Sequence, residues 1–209
     1  MANNAYTACL LIVDRSSSMS SIKQNVEASL AQLIRDQGSL PGRISFDVIY
    51  FNEQFSYPTK FATPGSTVIR INPDGGTALY DAIVRGTQEF AQNIERLAPA
   101  NRPKFVQVVV ATDGEENRSR HADALLVRDT IAFHKDTFGW DFTFVGSDER
   151  GIEDAARLGF EGKKTMKFAN SAAGVAGMSS GLSDYMRQTR SGQDAGYDDS
   201  ARTKAAAGH

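Results

Sequence analysis

Residues 8–18 read Ala-Cys-Leu-Leu-Ile-Val-Asp-Arg-Ser-Ser-Ser, an apolar run that ends in a cluster of oxygen-bearing side chains. An unbroken apolar run of this length is typical of a parallel strand that is buried on both faces of a sheet. Asp14, Ser16 and Ser18 follow the run directly. In open α/β sheets, ligands bind in the crevice at the carboxyl ends of such strands. The stretch therefore predicts an α/β fold with a polar site at the end of its first strand.

Two later segments repeat this arrangement. Gly75-Gly76-Thr77 precedes a helical pattern, and Thr112-Asp113-Gly114 follows the apolar run 105–111. Taken singly, the serines and the threonine are explained as helix caps and the aspartates as solvated carboxylates. Because the ends of parallel strands meet at one edge of a sheet, we expect the five side chains to converge on one point. This candidate metal site consists of Asp14, Ser16, Ser18, Thr77 and Asp113.

Strand patterns alternate with amphipathic helix patterns along the chain. The predicted strands are 8–13, 44–51, 55–61, 105–111, 141–145 and 164–168, and the predicted helices are about 22–38, 78–97, 121–135, 152–158 and 171–187. Such alternation implies parallel strands joined by right-handed crossovers. The short polar link 52–54 predicts a hairpin, hence one antiparallel strand. The predicted fold class is α/β, Rossmann-like and doubly wound: a mostly parallel central sheet with one antiparallel edge strand and helices on both faces.

The length of 209 residues allows one large core or two small ones, and the alternation of strands and helices favours one. We predict a single domain over residues 1–188. Residues 189–209 are polar, rich in small residues and without apolar periodicity, which predicts a flexible C-terminal tail. This tail is a candidate contact for assembly or oligomerisation.

Charge and cysteine content argue against several classes of protein. The 23 basic and 25 acidic residues give a net charge of -2, which offers no overall electrostatic basis for binding nucleic acid. Cys9, the single cysteine, excludes a disulfide framework. The chain has no apolar run long enough to span a bilayer, and its amino terminus lacks the pattern of an export signal. We predict a cytoplasmic protein with no membrane partner, with association with a virion as the alternative.

Hydroxyl and carboxylate oxygens are ligands for hard cations, so the candidate site favours Mg²⁺ or Mn²⁺, with Ca²⁺ less favoured, over zinc or copper. Three of the five ligands are neutral. If Ser16, Ser18 and Thr77 bind the ion directly, it keeps much of its positive charge and attracts a further anionic ligand. A carboxylate from a partner protein is the expected one, because magnesium commonly leaves exchangeable positions.

Three segments resemble the metal-ion-dependent adhesion site (MIDAS) of von Willebrand factor A (vWA) domains. They are Asp14-Arg15-Ser16-Ser17-Ser18-Met19, Gly75-Gly76-Thr77-Ala78-Leu79-Tyr80-Asp81-Ala82 and Ala111-Thr112-Asp113-Gly114-Glu115-Glu116-Asn117. The resemblance covers roughly residues 7–187. It implies a divalent metal held by the five candidate residues and completed by a partner's Glu or Asp. One departure is Ser17, where many members of the family carry glycine.

The resulting prediction is a non-catalytic, divalent-metal-dependent protein-protein interaction module, with no residue assigned a catalytic role. One alternative is a structural subunit of a multi-protein particle, including a viral one. A less favoured alternative is a magnesium-dependent phosphoryl-transfer enzyme with Asp14 as nucleophile. Enzymes of that kind carry an Asp-x-Asp motif. Position 16, where the second aspartate would stand, is serine, so the expected general acid is missing.

Overall fold

The computed structural model describes residues 6–208, which contain one six-stranded sheet. The strands are β1 (Thr7–Asp14), β2 (Ile44–Phe51), β3 (Phe55–Ala62), β4 (Phe105–Thr112), β5 (Asp141–Gly146) and β6 (Thr165–Lys167). Their order across the sheet is β3-β2-β1-β4-β5-β6. β1 pairs in parallel with β2 and β4, and β3 pairs antiparallel with β2 at one edge. The predicted fold class is confirmed.

Within residues 6–208, six α-helices flank the sheet. They are α1 (Lys23–Ser39), α2 (Leu79–Glu95), α3 (Ala124–Phe138), α4 (Glu149–Arg157), α5 (Ala172–Arg190) and α6 (Asp199–Ala206). Successive side chains of β1 point to opposite faces of the sheet, as in any pleated strand. Leu11 and Val13 join the core under α1 and α5, whereas Leu10 and Ile12 join the core under α2 and α3. This two-sided burial explains the continuous apolar run of β1.

Local capping sets the helix ends that periodicity alone placed inaccurately. The helix predicted at 121–135 begins instead at Ala124, because the side chain of Asp123 accepts a hydrogen bond from the Leu126 amide at 2.8 Å. It ends at Gly139, which has a left-handed φ of 66°. The helix predicted at 152–158, by contrast, begins earlier, at Glu149, after the cap residue Asp148.

The C-terminal segment packs on the domain, which differs from the flexible tail that its composition predicts. α6 lies against α5 and β6, and Ala205 is fully buried. The close approach depends on a missing side chain, because a Cβ atom at Gly177 would lie 2.4 Å from the carbonyl oxygen of Lys204. Sequence periodicity gives no sign of such a contact. The predicted boundary at residue 188 falls inside α5.

Arg202 of α6 covers part of the open edge of the sheet. Its guanidinium donates hydrogen bonds to the carbonyl oxygens of Thr165 at 2.6 Å and Gly162 at 2.9 Å. β6 is an edge strand, whose unpaired carbonyl groups are a site for unwanted strand pairing. The C-terminal helix therefore protects this edge.

The helices of residues 6–208 include none that is long and apolar enough to cross a membrane. Residues 1–5, on which the prediction about an export signal partly rests, and His209 lie outside the described residues.

A buried carboxyl group shapes the antiparallel edge. Asp47 of β2 is fully buried, and it accepts hydrogen bonds from the Tyr57 hydroxyl at 2.7 Å and the Phe61 amide at 2.8 Å. Phe61 has a φ of 45°, and the β2–β3 register shifts on either side of Val48. The carboxyl group thus satisfies a backbone amide where the ladder is irregular. Burial is the main cause that raises the pKa of Asp47 to about 6, and the two hydrogen bonds oppose it.

Gly177→Ala tests whether α6 docks as described. Alanine favours a helix over glycine by about 1 kcal/mol, but here its methyl group collides with the backbone of α6. We expect faster amide hydrogen exchange in residues 199–206. Ser180→Ala, an exposed change in the same helix, is the control and should leave exchange unchanged. Equal protection of α6 in all three proteins would contradict the docking.

Asp47→Asn tests the buried carboxyl group through the pH dependence of stability. The pKa of about 6 in the folded chain exceeds the ordinary value of 3.8, so the folded chain binds more protons between these values. The stability that Asp47 contributes is therefore full below about pH 3.8 and lost as the pH rises through 6. Relative to the variant, the wild type should lose about 2 kcal/mol of unfolding free energy between pH 4 and 7.

Urea unfolding at several pH values measures this difference. Asp136→Asn, a change of an exposed aspartate on α3, is the matched control and should follow the wild type. Parallel pH profiles for the wild type and Asp47→Asn would contradict the raised pKa.

Candidate metal centre

Three loops meet at the carboxyl edge of the sheet. The loop after β1 is joined to the end of β2 by a 2.7 Å hydrogen bond from the Arg15 amide to the Phe51 carbonyl. It is joined to the loop before α2 by bonds from the Ser17 amide to the Gly75 carbonyl at 3.0 Å and from the Asp74 amide to the Arg15 carbonyl at 2.9 Å. Backbone pairing therefore positions these two loops before any side chain takes part.

The loop after β4 is joined to Thr77 in the same way. The amides of Asn117 and Arg118 donate to the Thr77 carbonyl at 3.0 and 3.2 Å. The side-chain oxygen of Asn117 accepts a hydrogen bond from the Thr77 amide at 3.0 Å. Both backbone groups of Thr77 are thus satisfied by one loop, which fixes the position of a side chain that is 2% exposed.

Ser16, Ser18 and Asp113 form a chain of hydrogen bonds. The hydroxyl of Ser18 donates to Oδ1 of Asp113 at 2.7 Å, and the Ser16 and Ser18 hydroxyl oxygens lie 3.0 Å apart. Since Ser18 gives its hydrogen to Asp113, Ser16 is the donor in the serine pair. These three predicted residues therefore lie together at the site.

Asp14 lies behind this chain and is fully buried. Its Oδ1 accepts the Ser16 amide at 2.6 Å, and its Oδ2 accepts the Thr112 hydroxyl at 2.5 Å. The carboxyl group thus connects the loop after β1 to the end of β4. It orients Ser16 from within the protein.

Thr77 completes the set from the opposite side. A Cβ atom built on Gly114 would lie 3.3 Å from Oγ1 of Thr77 and 3.4 Å from Oγ of Ser18. The two hydroxyl groups therefore border the same small space, which the absence of a side chain at Gly114 leaves open. Oδ2 of Asp113 is buried and has no hydrogen-bond partner within residues 6–208. A buried carboxylate oxygen without a partner is costly unless a cation or a donor compensates it.

The charges of the two carboxyl groups are unfavourable in the protein alone. Burial, as the largest cause, raises the pKa of Asp14 to about 6, and the hydrogen bonds from Thr112 and Ser16 oppose it. Burial also raises the pKa of Asp113, against the hydrogen bond from Ser18. A bound cation would favour the charged form of both groups.

The donor set fits a hard divalent cation. It consists of three hydroxyl groups and two carboxyl groups, with no imidazole or thiolate, and such oxygen donors suit magnesium or manganese. Within the described part of the chain, no group of three or more His, Cys, Asp and Glu side chains is placed to hold a metal. The fit therefore depends on the hydroxyl groups of Ser16, Ser18 and Thr77.

Several residues support the site through contacts that were not predicted from sequence. Thr112 holds Asp14, Asn117 holds Thr77, and Gly114 leaves room for the hydroxyl groups. The carboxyl group of Glu116 accepts a hydrogen bond from the Tyr80 amide. The carboxyl group of Asp81 accepts hydrogen bonds from the amides of residues 120–122. These contacts join loops about 40 to 100 residues apart, so only the position of Thr112 beside Asp113 offered a local signal.

Comparisons with known proteins support the fold. Neither protein-family models nor curated protein sequences give a match. Among solved structures, the vWF domain of the type V pili tip protein Mfa5 from Porphyromonas gingivalis has a TM-score of 0.65 and 10% identity, over 88% of this chain and 96% of that one. The fold is that of a vWA domain.

Two longer proteins contain the same fold. A von Willebrand factor type A protein from Catenulispora acidiphila has a TM-score of 0.57 and 17% identity, over 88% of this chain and 43% of that one. Proximal thread matrix protein 1 from the mussel byssus, solved with a zinc-occupied MIDAS motif, has a TM-score of 0.62 and 12% identity. That match covers 87% of this chain and 46% of the mussel protein, so the chain spans less than half of either protein.

Asn117→Ala tests the link that positions Thr77 in this vWA fold. Removing the amide side chain leaves the buried Thr77 amide without its acceptor, which costs about 1–2 kcal/mol of unfolding free energy. Denaturant unfolding measures the loss. Asn101→Ala, in the exposed turn before β4, is the control and should change stability by less than about 0.5 kcal/mol. Equal stability of the two variants would contradict the proposed role of Asn117.

Proposed function

We propose that this chain binds a partner protein through a divalent metal held by Asp14, Ser16, Ser18, Thr77 and Asp113. The observation that carries the proposal is the convergence of the Ser18 and Thr77 hydroxyl groups on the space beside Gly114, with a buried, unpartnered oxygen of Asp113 at the same edge. The comparison with the mussel protein supports it, because that fold holds a divalent ion in its MIDAS motif.

The division of labour among the five residues follows from their contacts. Ser16, Ser18 and Thr77 would bind the ion directly. Both oxygens of Asp14 already accept hydrogen bonds from the protein, and Asp113 accepts one from the Ser18 hydroxyl. With neutral ligands around it, the ion supplies a positive charge that binds a Glu or Asp of the partner. Mg²⁺ or Mn²⁺ suits these donors better than Ca²⁺, which prefers more ligands.

The same contacts favour binding over catalysis. In the phosphoryl-transfer alternative, Asp14 attacks a phosphorus atom, but its carboxyl group is fully buried and both oxygens accept hydrogen bonds at 2.6 and 2.5 Å. A nucleophile needs a free oxygen and a nearby general acid. Position 16, where that acid would stand, is a serine whose hydroxyl is engaged with Ser18.

A pull-down from source lysate tests metal-dependent binding. We expect a partner that is retained with Mg²⁺, released by EDTA and absent with Thr77→Ala, because this change removes a metal ligand and leaves the backbone contacts of Thr77 in place. Thr137→Ala, an exposed change at the C-terminal end of α3, is the control and should retain the partner.

Calorimetric titration with Mg²⁺, Mn²⁺, Ca²⁺ and Zn²⁺ measures the metal directly. Thr77→Ala should weaken binding by about tenfold or more, and Thr137→Ala should not. Partners retained equally with EDTA and with Thr77→Ala would contradict the proposal and favour a structural subunit of a larger particle.

A further inference from the structure

A cavity of about 700 Å³ opens beside the metal centre, at the same edge of the sheet. We name it the side pocket. It lies between the turn after β2, the first half of α2 and the loop before α3, and it is bordered by Phe55, Asp81, Arg85, Arg118, Arg120 and Leu126. A volume of this size is within the range of pockets that hold small ligands or large side chains.

The side pocket and the metal centre share a wall. Ala78 lines the pocket, and its neighbour Thr77 is a residue of the centre. Arg118 crosses the loop between the two, since a Cβ atom on Gly76 would lie 2.6 Å from Cγ of Arg118. The Arg118 side chain therefore packs on the loop that carries Thr77 and also lines the pocket.

Part of the pocket wall is apolar. Phe51 and Val84 are buried beneath it, and Phe55 and Leu126 are partly exposed at its sides. The guanidinium of Arg85 lies 4.1 Å from the centre of the Phe55 ring. Leu126 is 41% exposed, so its side chain is accessible at the side of the pocket. A bulky apolar side chain would cover this surface.

The rim of the pocket carries three arginines, and two of them form ion pairs. Asp81 is compensated by three backbone amides at 2.7 to 3.0 Å, and Glu53 is paired with Arg118 at 3.0 Å. Arg85 pairs with Glu89 at 2.7 Å, which lies outside the pocket lining. Arg120 is exposed and forms no ion pair with any residue from 6 to 208. The guanidinium of Arg120 is therefore open to a second acidic group.

We propose that the side pocket binds an aromatic or other bulky apolar side chain of the same partner, flanked by an acidic residue that pairs with Arg120. This inference rests on the proposed function and defines the partner chemically: an acidic segment with one bulky apolar residue near the metal-binding Glu or Asp. Thr77 of the centre and Ala78 of the pocket lining are adjacent, and an extended chain advances about 3.3 Å per residue, so we expect the apolar residue within about three residues of that carboxylate.

The test uses a displayed library of short peptides, each with one fixed glutamate at the centre and randomised residues on both sides. Selection on the immobilised full chain with Mg²⁺ should enrich aromatic residues, accompanied by Asp or Glu, within about three positions of the fixed glutamate. Affinities of the selected peptides are then measured for variants of the pocket.

Two pairs of variants separate the pocket from general surface effects. Arg120→Glu should weaken binding about tenfold, whereas Arg96→Glu, the same charge change at the far end of α2, should have little effect. Leu126→Ala should weaken binding about fivefold, whereas Leu125→Ala, an exposed neighbour outside the pocket lining, should not.

The outcomes distinguish the two proposals. Magnesium-dependent peptides that contain the glutamate but show no apolar preference, or that bind all four variants alike, would overturn the side pocket and leave the proposed function intact. Peptides that bind equally in EDTA and to Thr77→Ala would contradict the proposed function, and this inference with it.

Discussion

The buried carboxyl group of Asp14 is the interaction on which the site depends. One of its oxygens accepts the amide of Ser16 in the next loop, and the other accepts the hydroxyl of Thr112 at the end of the neighbouring strand. The ends of β1 and β4 are thereby joined by one side chain, so Ser18 and Asp113 lie within hydrogen-bond distance although 95 residues separate them. The β1–β4 ladder, with Val13 opposite Ala111, aligns the two strand ends, and the Asp14 carboxyl group then fixes the loops that follow them.

Burial of the Asp14 carboxyl group has a cost in free energy, although its hydrogen bonds hold the loops in place. A fully buried carboxyl group loses its hydration, which is why the pKa of Asp14 rises to about 6 despite its hydrogen bonds. The nearby Asp113 adds to the cost, because two negative charges lie at one edge and one oxygen of Asp113 has no partner in the described chain. A cation bound beside the hydroxyl groups would offset both the lost hydration of Asp14 and the repulsion between the two carboxyl groups. The hydroxyl ligands matter here, since they add donors without a third charge.

The sheet, and the edge at which the candidate residues gather, were predictable from sequence because they depend on short-range patterns. The apolar runs of β1 and β4 and the hairpin link after β2 each lie within a few residues, and so does the Asp14-x-Ser16-x-Ser18 spacing. The supporting contacts were not predictable. Asn117 and Thr77 are 40 residues apart. The docking of α6 depends on Gly177, because a Cβ atom at that position would collide with the backbone of α6. Periodicity reports which face of an element is apolar, but it does not report which distant backbone that face meets.

Hydrogen bonds between loops would allow the candidate metal centre and the side pocket to act together. The first amides of α2 are satisfied by side chains of the loop after β4: Glu116 accepts the Tyr80 amide, and the Ser119 hydroxyl accepts the Asp81 amide. Asp81 in turn holds the amides of residues 120–122. The same loop supplies Asp113 to the centre and Arg120 to the pocket, so their separation is set by hydrogen bonds within the free protein. A partner that fits both sites then needs little ordering of this surface, and the binding free energy lost to such ordering is small.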